Sequence, residues 1–305
     1  MCSEKKWKIA QQIIQKKDQC ATIMDFSSDK NGHAMIELQS SDGGRVTVYA
    51  QGAHITSWRN AHGEERLYMS PNAIFEAGKP LRGGVPLIWP QFNDMGKEVI
   101  HGVARRRVWG INKAEDGCGV FSLQITEQDK EISGFTVLLA FEVRFSSSEL
   151  KMTLTVTNQG TAPTPQFRHA FHTYFAVPSV RTDISGLDSS RFANNLKNRQ
   201  VFDSSPRNKI TEETDLIFFN VDQPVTLQWN NKSCGLVIAG ENLPDVVLWN
   251  PHAERCKKIS DLPPDGYLNY ICVEHAVIEK PIVLEPRASW NGSQIVKHFN
   301  SLSKY

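Results

Sequence analysis

Two histidines in one short aromatic stretch are the first side chains that could do chemistry. His169 and His172 lie in residues 168–175, which read RHAFHTYF. An imidazole has an unperturbed pKa of about 6.5, so it suits proton transfer at neutral pH. A histidine in such surroundings can equally be a hydrogen-bonded core residue. A carboxylate partner would favour the acid/base role.

One carboxylate in an apolar stretch could be that partner. Glu274 lies in residues 270–276, which read YICVEHA, in line with apolar side chains. Burial of a carboxylate is unfavourable unless the group is paired or faces a cavity. Glu274 is therefore a candidate general base, and the alternative is a surface glutamate on an edge strand. Asp215 and Asn250 are weaker polar candidates of the same kind.

Arginines occur in two further segments. Arg82 precedes a glycine pair in residues 81–92, where two prolines stiffen the chain that follows. Three consecutive arginines, beginning at Arg105, follow His101 and Gly102. Alternate strand residues face opposite sides of a sheet, so one or two of the three could join Arg82 at a pocket. Two guanidinium groups would suit a phosphate dianion, whereas an arginine run is otherwise typical of a solvated face.

The elements that must position these side chains are predicted to be strands. Residues 135–145 alternate apolar and other side chains with a period of two, and the alternation resumes in residues 152–157 as the second arm of a hairpin. Similar short runs lie at 34–39, 45–50, 120–126, 225–229, 235–239, 245–249, 268–274 and 282–285. Because no strand–helix alternation is present, the pattern predicts an all-β antiparallel sandwich. A stripe of apolar residues at 7–18 predicts one short helix within residues 1–20.

Composition excludes several classes of protein. The chain has 305 residues, with 34 Lys and Arg against 33 Asp and Glu, so no global charge favours nucleic acid or a membrane surface. Neither a signal-peptide segment nor a long apolar run is evident, which predicts a soluble, cytoplasmic protein. The six cysteines are scattered without metal-ligand spacing, so we expect no metal and no disulfide. One domain, residues 1–305 with a core at about 30–295, is the simplest organisation.

Taken in order, the chemistry-bearing segments resemble the aldose 1-epimerase, or galactose mutarotase-like, superfamily and its hexose-6-phosphate mutarotase branch. The matching motifs are RGGVPLIWPQF at 82–92, HGVAR at 101–105, HTYF at 172–175, TD at 214–215, WNP at 249–251 and VEH at 273–275. Each motif alone is weakly specific, but the ordered set is specific.

The resemblance implies a β-supersandwich with few short helices that needs no metal or organic cofactor. It implies His172 as general acid and Glu274 as general base for the interconversion of the α and β anomers of a sugar. It also implies contacts of the sugar phosphate with Arg82, His101 and Arg105, and an orienting or sugar-binding role for Asp215. The expected substrate is a hexose 6-phosphate such as glucose 6-phosphate, and the expected protein is a monomer that binds neither nucleic acid nor a membrane.

One position departs from the branch. Ile100 stands where the branch usually has Gln before the HGVAR motif, so one sugar hydrogen bond is missing or comes from elsewhere. Three alternatives stay open: a mutarotase for unphosphorylated aldoses, a non-catalytic carbohydrate-binding protein and a glycoside hydrolase or lyase. Hydrolysis usually requires two carboxylates that flank the scissile bond, and only Glu274 is convincingly placed.

Overall fold

The computed structural model describes residues 26–29, 31–129, 132, 134–188, 190–203 and 208–300. The strands in these ranges are β1 Ser27–Ser28, β2 Ala34–Gln39, β3 Arg45–Tyr49, β4 His54–Arg59, β5 Leu87–Ile88, β6 Gly110–Glu115, β7 Cys118–Ile125, β8 Val137–Phe145, β9 Glu149–Asn158, β10 Phe167–Phe171, β11 Tyr174–Ala176, β12 Asp183–Ser185, β13 Phe192–Asn194, β14 Gln200–Phe202, β15 Thr214–Phe218, β16 Val225–Trp229, β17 Cys234–Glu241, β18 Asp245–Asn250, β19 Tyr270–Ile282 and β20 Ser289–Asn300. Regular α-helix in the same ranges is confined to α1, His252–Cys256. The predicted helix at 7–18 lies outside the described residues.

The strands form three antiparallel sheets. We name the sheet with order β14-β13-β15-β18-β19-β10-β5, in which β11 also pairs with β19, the front sheet. The back sheet has the order β12-β16-β17-β20-β9-β8-β7-β6, and a smaller sheet has the order β1-β2-β3-β4. The predicted all-β antiparallel sandwich is therefore confirmed. The described part of the chain contains no helix long and apolar enough to cross a membrane.

Alternation along the strands produces the core between the front and back sheets. In β8 the alternate apolar residues from Val137 to Phe145 are buried and the residues between them are partly or fully exposed, as the pattern at 135–145 predicts. Phe141 of β8 meets Phe171 of β10 at a ring-centroid distance of 6.1 Å, which joins the two sheets. Each such buried side chain contributes roughly 1.5–3 kcal/mol.

The predicted strand at 282–285 is wrong. Ile282 ends β19, and the next residues leave the ladder before β20 begins. Leu284 is buried as alternation requires, but its N–H donates to the Thr164 hydroxyl and its carbonyl accepts from the Thr164 N–H. The Thr164 hydroxyl group thus takes the place of a strand carbonyl as the acceptor for the Leu284 N–H.

The two faces of β19 have different environments. Ile271, Val273 and Val277 pack in the core between the sheets, whereas the alternate residues of β19 lie on the outer face of the front sheet. Glu274 is on that outer face. Because β18 pairs with one edge of β19 and β10 and β11 pair with the other, the carboxylate projects from the interior of the sheet.

Register aligns a row of side chains on the outer face. Asp215 of β15 is opposite Trp249 of β18, Trp249 is opposite Cys272 of β19, and Cys272 is opposite Tyr174 of β11. Opposite residues in neighbouring strands project to the same face. The row therefore brings four distant parts of the sequence to one surface.

Candidate active site

The imidazole of His172 and the carboxyl group of Glu274 lie beside each other at this outer face. His172 Nδ1 is 3.3 Å from Glu274 Oε1, and the side chains are 10% and 1% exposed, respectively. Among the described residues neither His172 Nδ1 nor Glu274 Oε2 has a hydrogen-bond partner. The structure thus brings the two predicted acid/base residues together and leaves a buried polar atom of each without a hydrogen-bond partner among the described residues.

A break between β10 and β11 places His172. Its backbone N–H donates to the Pro86 carbonyl at 3.1 Å instead of joining the strand ladder. The imidazole stacks on Tyr174 at 4.8 Å with 7° between the planes, and Trp249 contacts it edge-on at 5.7 Å. These two aromatic residues were not singled out from the sequence, although both lie in the matching motifs. They fix the plane of the ring.

His101 approaches His172 from the opposite loop. The two rings are 5.8 Å apart and nearly perpendicular. His101 Nδ1 accepts a hydrogen bond from the Asn93 N–H, so the proton of the neutral ring is on Nε2. Burial, followed by the charges of Arg105 and Arg82, lowers the pKa of His101 to about 3. His101 is therefore a neutral donor at neutral pH, as a contact to a sugar oxygen requires.

Burial displaces the pKa values of the acid/base pair in opposite directions. It lowers the pKa of His172 well below the usual value, with further lowering by the nearby His101, Arg105 and Arg82. Burial also raises the pKa of Glu274 well above its usual value, and the charge of Asp215 adds to this rise. These shifts favour a neutral imidazole beside a protonated carboxyl group.

Asp215 lies two strands away from Glu274 in the front sheet. Its Oδ1 accepts a hydrogen bond from Asn195 Nδ2 at 2.6 Å, and burial raises its pKa to about 6. Asn195 was missed in the sequence, and its buried Oδ1 has no hydrogen-bond partner in the described ranges. The two residues thus offer a carboxyl group and an amide at one side of the pair.

Arg82 is held on the other side. Its Nε donates to Asp261 at 3.0 Å and its Nη1 donates to the Tyr174 hydroxyl at 3.1 Å. A guanidinium group has five N–H donors, so three remain after these two bonds. Since Tyr174 also stacks on the imidazole of His172, Arg82 both supports that ring indirectly and retains donors for an anion.

Arg105 is a partly buried cation without a carboxylate partner among the described residues. Its Nη2 donates to the Ile100 carbonyl at 2.9 Å, its buried Nε has no partner, and it forms no ion pair with a carboxylate of the described chain. Burial lowers the pKa of Arg105 to about 10. The Ile100 side chain is 56% exposed, so this residue contributes its backbone to the site. A guanidinium without a carboxylate partner is well suited to an anionic ligand.

The rest of the arginine run lies elsewhere. Residues 105 and 106 belong to a short 3-10 turn, Ala104–Arg106, instead of the expected strand. Arg106 donates to the Gly78 carbonyl and Arg107 pairs with Asp129. One residue of the run therefore joins the site.

Two predicted polar candidates have structural roles. His169 is fully buried and its Nδ1–H donates to the Ile88 carbonyl at 2.9 Å. Asn250 is also fully buried and donates to the backbone carbonyls of Tyr267 and Tyr270. Neither residue joins the acid/base pair.

Three side chains of the site could ligate a metal ion. Donor atoms of His172, Cys272 and Glu274 all lie within 4.8 Å of one another, and they are a nitrogen, a sulfur and an oxygen. Zinc accepts such donors. Burial raises the pKa of Cys272 well above its usual value, so its thiol is protonated, and the nearby charge of Arg82 opposes a second cation. The expectation that the reaction needs no metal stays a prediction.

The chain resembles known proteins in sequence and in fold. A family model described as aldose 1-epimerase matches residues 34–297. A candidate glucose-6-phosphate 1-epimerase of Cenchrus ciliaris is 33% identical over 258 residues, which are 80% of this chain and 78% of the relative. A protein of the same name from Escherichia coli K12 is 32% identical over 246 residues, 76% of this chain and 79% of the relative.

Among solved structures, a candidate mutarotase from Salmonella typhimurium has a TM-score of 0.80 at 22% identity, covering 96% of this chain and 99% of that one. At this identity the likeness supports the shared fold alone. Since the family model spans residues 34–297 and the Cenchrus ciliaris relative is 33% identical, this chain belongs to the aldose 1-epimerase family and is an isomerase.

Proposed function

We propose that the chain is a glucose-6-phosphate 1-epimerase, which interconverts the α and β anomers of this sugar phosphate. One observation carries the proposal. The acid/base pair of His172 and Glu274, 3.3 Å apart, lies within electrostatic range of Arg105, a partly buried cation without a carboxylate partner in the described chain. Two relatives at 33% and 32% identity bear the same name as candidates, which supports the choice of substrate.

The chemistry requires two proton transfers. Opening of the pyranose ring removes a proton from the anomeric hydroxyl group while the ring oxygen gains one. In the proposed reaction Glu274 is the general base and His172 the general acid. Each positioned group typically contributes a factor of about 10²–10⁴. Such factors are ample for a reaction that already proceeds unaided in water.

One proton shared by the pair is enough for the whole cycle. A cyclic sugar requires an ionised Glu274 and a protonated His172. After ring opening Glu274 holds the proton and His172 is neutral, the form that the opposite pKa shifts favour. Rotation about C1–C2 presents the other face of the aldehyde. Ring closure then reverses both transfers and resets the pair.

The 6-phosphate would bind Arg105 and Arg82. Charge-assisted hydrogen bonds to phosphate are about twice as strong as neutral ones, and a dianion would compensate the unpaired charge of Arg105. The same dianion would offset the two charges that lower the pKa of His172. It would thereby favour the protonated imidazole that ring opening needs. In this arrangement His101 and Asp215 hold sugar hydroxyl groups.

The test compares two sugars and two arginine variants. Magnetisation-exchange NMR at low buffer concentration measures anomer exchange of glucose 6-phosphate and of free glucose. Arg105→Ala is expected to raise KM for glucose 6-phosphate about 10-fold or more, since a hydrogen bond to a charged group contributes about 1.5–3 kcal/mol. Exchange of free glucose should not fall, because glucose has no phosphate for Arg105 to bind and loss of this charge removes one cause of the low pKa of His172.

Arg106→Ala is the matched control, because Arg106 belongs to the same turn and donates to the Gly78 carbonyl. It should leave both activities unchanged. Arg82→Ala should also weaken use of the phosphate, but it removes the support of Tyr174 and is therefore less selective. Equal loss for both sugars in Arg105→Ala would make Arg105 structural. A wild-type protein that accelerates neither exchange would refute the proposed activity.

A further inference from the structure

One buried amide from the back sheet joins both segments that carry the acid/base pair. Gln294 of β20 is fully buried, and its Oε1 accepts a hydrogen bond from the Thr173 hydroxyl at 2.5 Å. Its Nε2 donates to the Val273 carbonyl at 3.0 Å and to His275 Nδ1 at 3.2 Å. Thr173 directly follows the acid in sequence, and the other two partners directly precede and follow the base.

The network fixes the orientation of this amide. A backbone carbonyl can only accept, so Nε2 of Gln294 must face Val273 and Oε1 must face Thr173. His275 also accepts, because burial lowers its pKa to about 3 and keeps its ring neutral. Both amide hydrogens and the amide oxygen are therefore used. An amide in an apolar core without these partners would be strongly unfavourable.

Strand pairing between β19 and its neighbours β10 and β11 is interrupted at this place. Ala170 pairs with Ala276 and Tyr174 pairs with Cys272, but no ladder pair of the described chain joins residues 171–173 to residues 273–275, which pair with β18 along the other edge. The interruption coincides with the point where the acid and the base meet. The side chains of Thr173 and Gln294 bridge the gap that the ladder leaves.

We propose that Thr173 and Gln294 are positioning residues that set the separation of His172 and Glu274 for proton transfer. Neither contacts the sugar, since both lie on the core side of the front sheet. The proposal rests on the proposed epimerase activity. The positioning role would explain why Thr173 and Gln294 are polar, since two apolar side chains of similar shape would fill the same space in the core.

The first experiment compares Thr173→Val, which removes the hydroxyl group, with Thr173→Ser, which retains it. Thr173→Val is expected to lower kcat for glucose 6-phosphate about 10-fold or more with KM changed less than about twofold, because small misplacements of catalytic groups are costly. Thr173→Ser should keep kcat within about threefold of wild type on the same argument. Thr182→Val is the matched control, since Thr182 is also fully buried and donates to the Pro178 carbonyl at 2.9 Å.

The control separates positioning from general stability. Thr182→Val should lower the urea midpoint without a change in kcat. Equal kcat in Thr173→Val and Thr182→Val would overturn the proposal, and so would a Thr173→Ser variant as slow as Thr173→Val. Gln294→Met should lower kcat similarly, and the double variant with Thr173→Val should be no slower than either single variant. Additive losses would contradict a shared role.

Crystal structures provide a readout that does not depend on activity. In Thr173→Val the distance from His172 Nδ1 to Glu274 Oε1 should depart from 3.3 Å by more than about 0.5 Å, the tolerance of a productive site. It should stay within that limit in Thr173→Ser. An unchanged distance in Thr173→Val would overturn the positioning role even if the wild type proved inactive on glucose 6-phosphate. Failure of the proposed function and failure of this inference are thus distinguishable.

Discussion

At the scale of the residue, the same cause acts oppositely on the two members of the acid/base pair. Burial opposes charge, so it raises the pKa of Glu274 and lowers that of His172. A protonated glutamate closely resembles a glutamine in shape and charge. Glu274→Gln should therefore leave the free energy of unfolding nearly unchanged, even though the amide cannot transfer the proton.

Glu274→Gln and His172→Ala are each expected to reduce anomer exchange of glucose 6-phosphate by about 10²–10⁴-fold, the usual contribution of a positioned proton-transfer group. Magnetisation-exchange NMR measures the rate, and urea unfolding checks that the fold persists. Glu279→Gln is the control, since Glu279 lies on the same strand and pairs with Arg191 at the surface. Full activity of Glu274→Gln or His172→Ala would remove that residue from the mechanism.

Residue types in the sequence were enough to select two histidines, one glutamate and a few arginines as candidates, and the resemblance to the family assigned the acid role to His172 and the base role to Glu274. Their meeting point was not predictable from spacing, and the resemblance to the family supplied it. The role of Gln294 was also inaccessible. A glutamine in a strand usually faces solvent, and its burial becomes visible only once the back sheet packs against the front sheet. The assigned roles themselves stay predictions.

At the scale of the element, alternation predicted strands such as β8 well because one face is buried and the other is not. Alternation is a weaker predictor of strands where side chains replace strands as hydrogen-bond partners, as at Leu284. It was also weaker for the arginine run, which forms a 3-10 turn. That turn points Arg105 at the site while Arg107 pairs with Asp129.

One glycine is required where the His101 loop crosses the chain near β5. Gly102 has a φ of +72°, and a Cβ atom there would lie 2.1 Å from the Trp89 carbonyl oxygen. Gly102→Ala should lower the free energy of unfolding by about 3 kcal/mol, in the range of strain combined with overpacking. Gly63→Ala is the control, with a φ of +79° and nothing within 4 Å of the added Cβ.

Gly63→Ala should lower the free energy of unfolding by only about 1–2 kcal/mol, the usual penalty for an alanine in the left-handed conformation. Urea unfolding of both variants measures the difference. Similar losses of unfolding free energy for the two variants would mean that the backbone near Trp89 shifts at little cost to accommodate the added Cβ atom. The close approach of the His101 loop would then not be a constraint on the site.

At the scale of the whole molecule, buried histidines link stability to pH. Burial lowers the pKa of His169 to about 4 in the folded state, against about 6.5 in the unfolded chain. The unfolded state therefore binds more protons between these values, so the stabilising contribution is complete above pH 6.5 and is lost as the pH falls towards 4. As the pH falls from 7.5 to 5.5, protonation of this group in the unfolded chain should lower the free energy of unfolding by about 1.4 kcal/mol.

His169→Asn should show a pH dependence of unfolding that is smaller by about this amount, although the variant is less stable at pH 7.5. Its amide can still donate to the Ile88 carbonyl in place of Nδ1. Urea unfolding at the two pH values gives the comparison, with the exposed His62→Asn as control. A variant that retained the full wild-type pH dependence would contradict the assignment to His169.

The sandwich as a whole was predictable, because many short alternating runs without helices between them favour antiparallel sheets. The similarity of fold to the Salmonella typhimurium structure agrees with it. Sheet order was not predictable, since β19 and β20 are neighbours in sequence but belong to different sheets. The single domain, the monomeric state and the cytoplasmic location stay predictions.

The setting of Glu274 has a consequence for how exchange would proceed. The residue lies within the 13-residue β19, where it pairs with Val247 of β18, and β10 and β11 pair with β19 on either side of it along the other edge. A base anchored in this way cannot follow a moving atom without breaking ladder bonds in neighbouring strands. In the proposed reaction Glu274 therefore keeps its position in the sheet. The sugar itself performs the rotation that exchanges one anomer for the other.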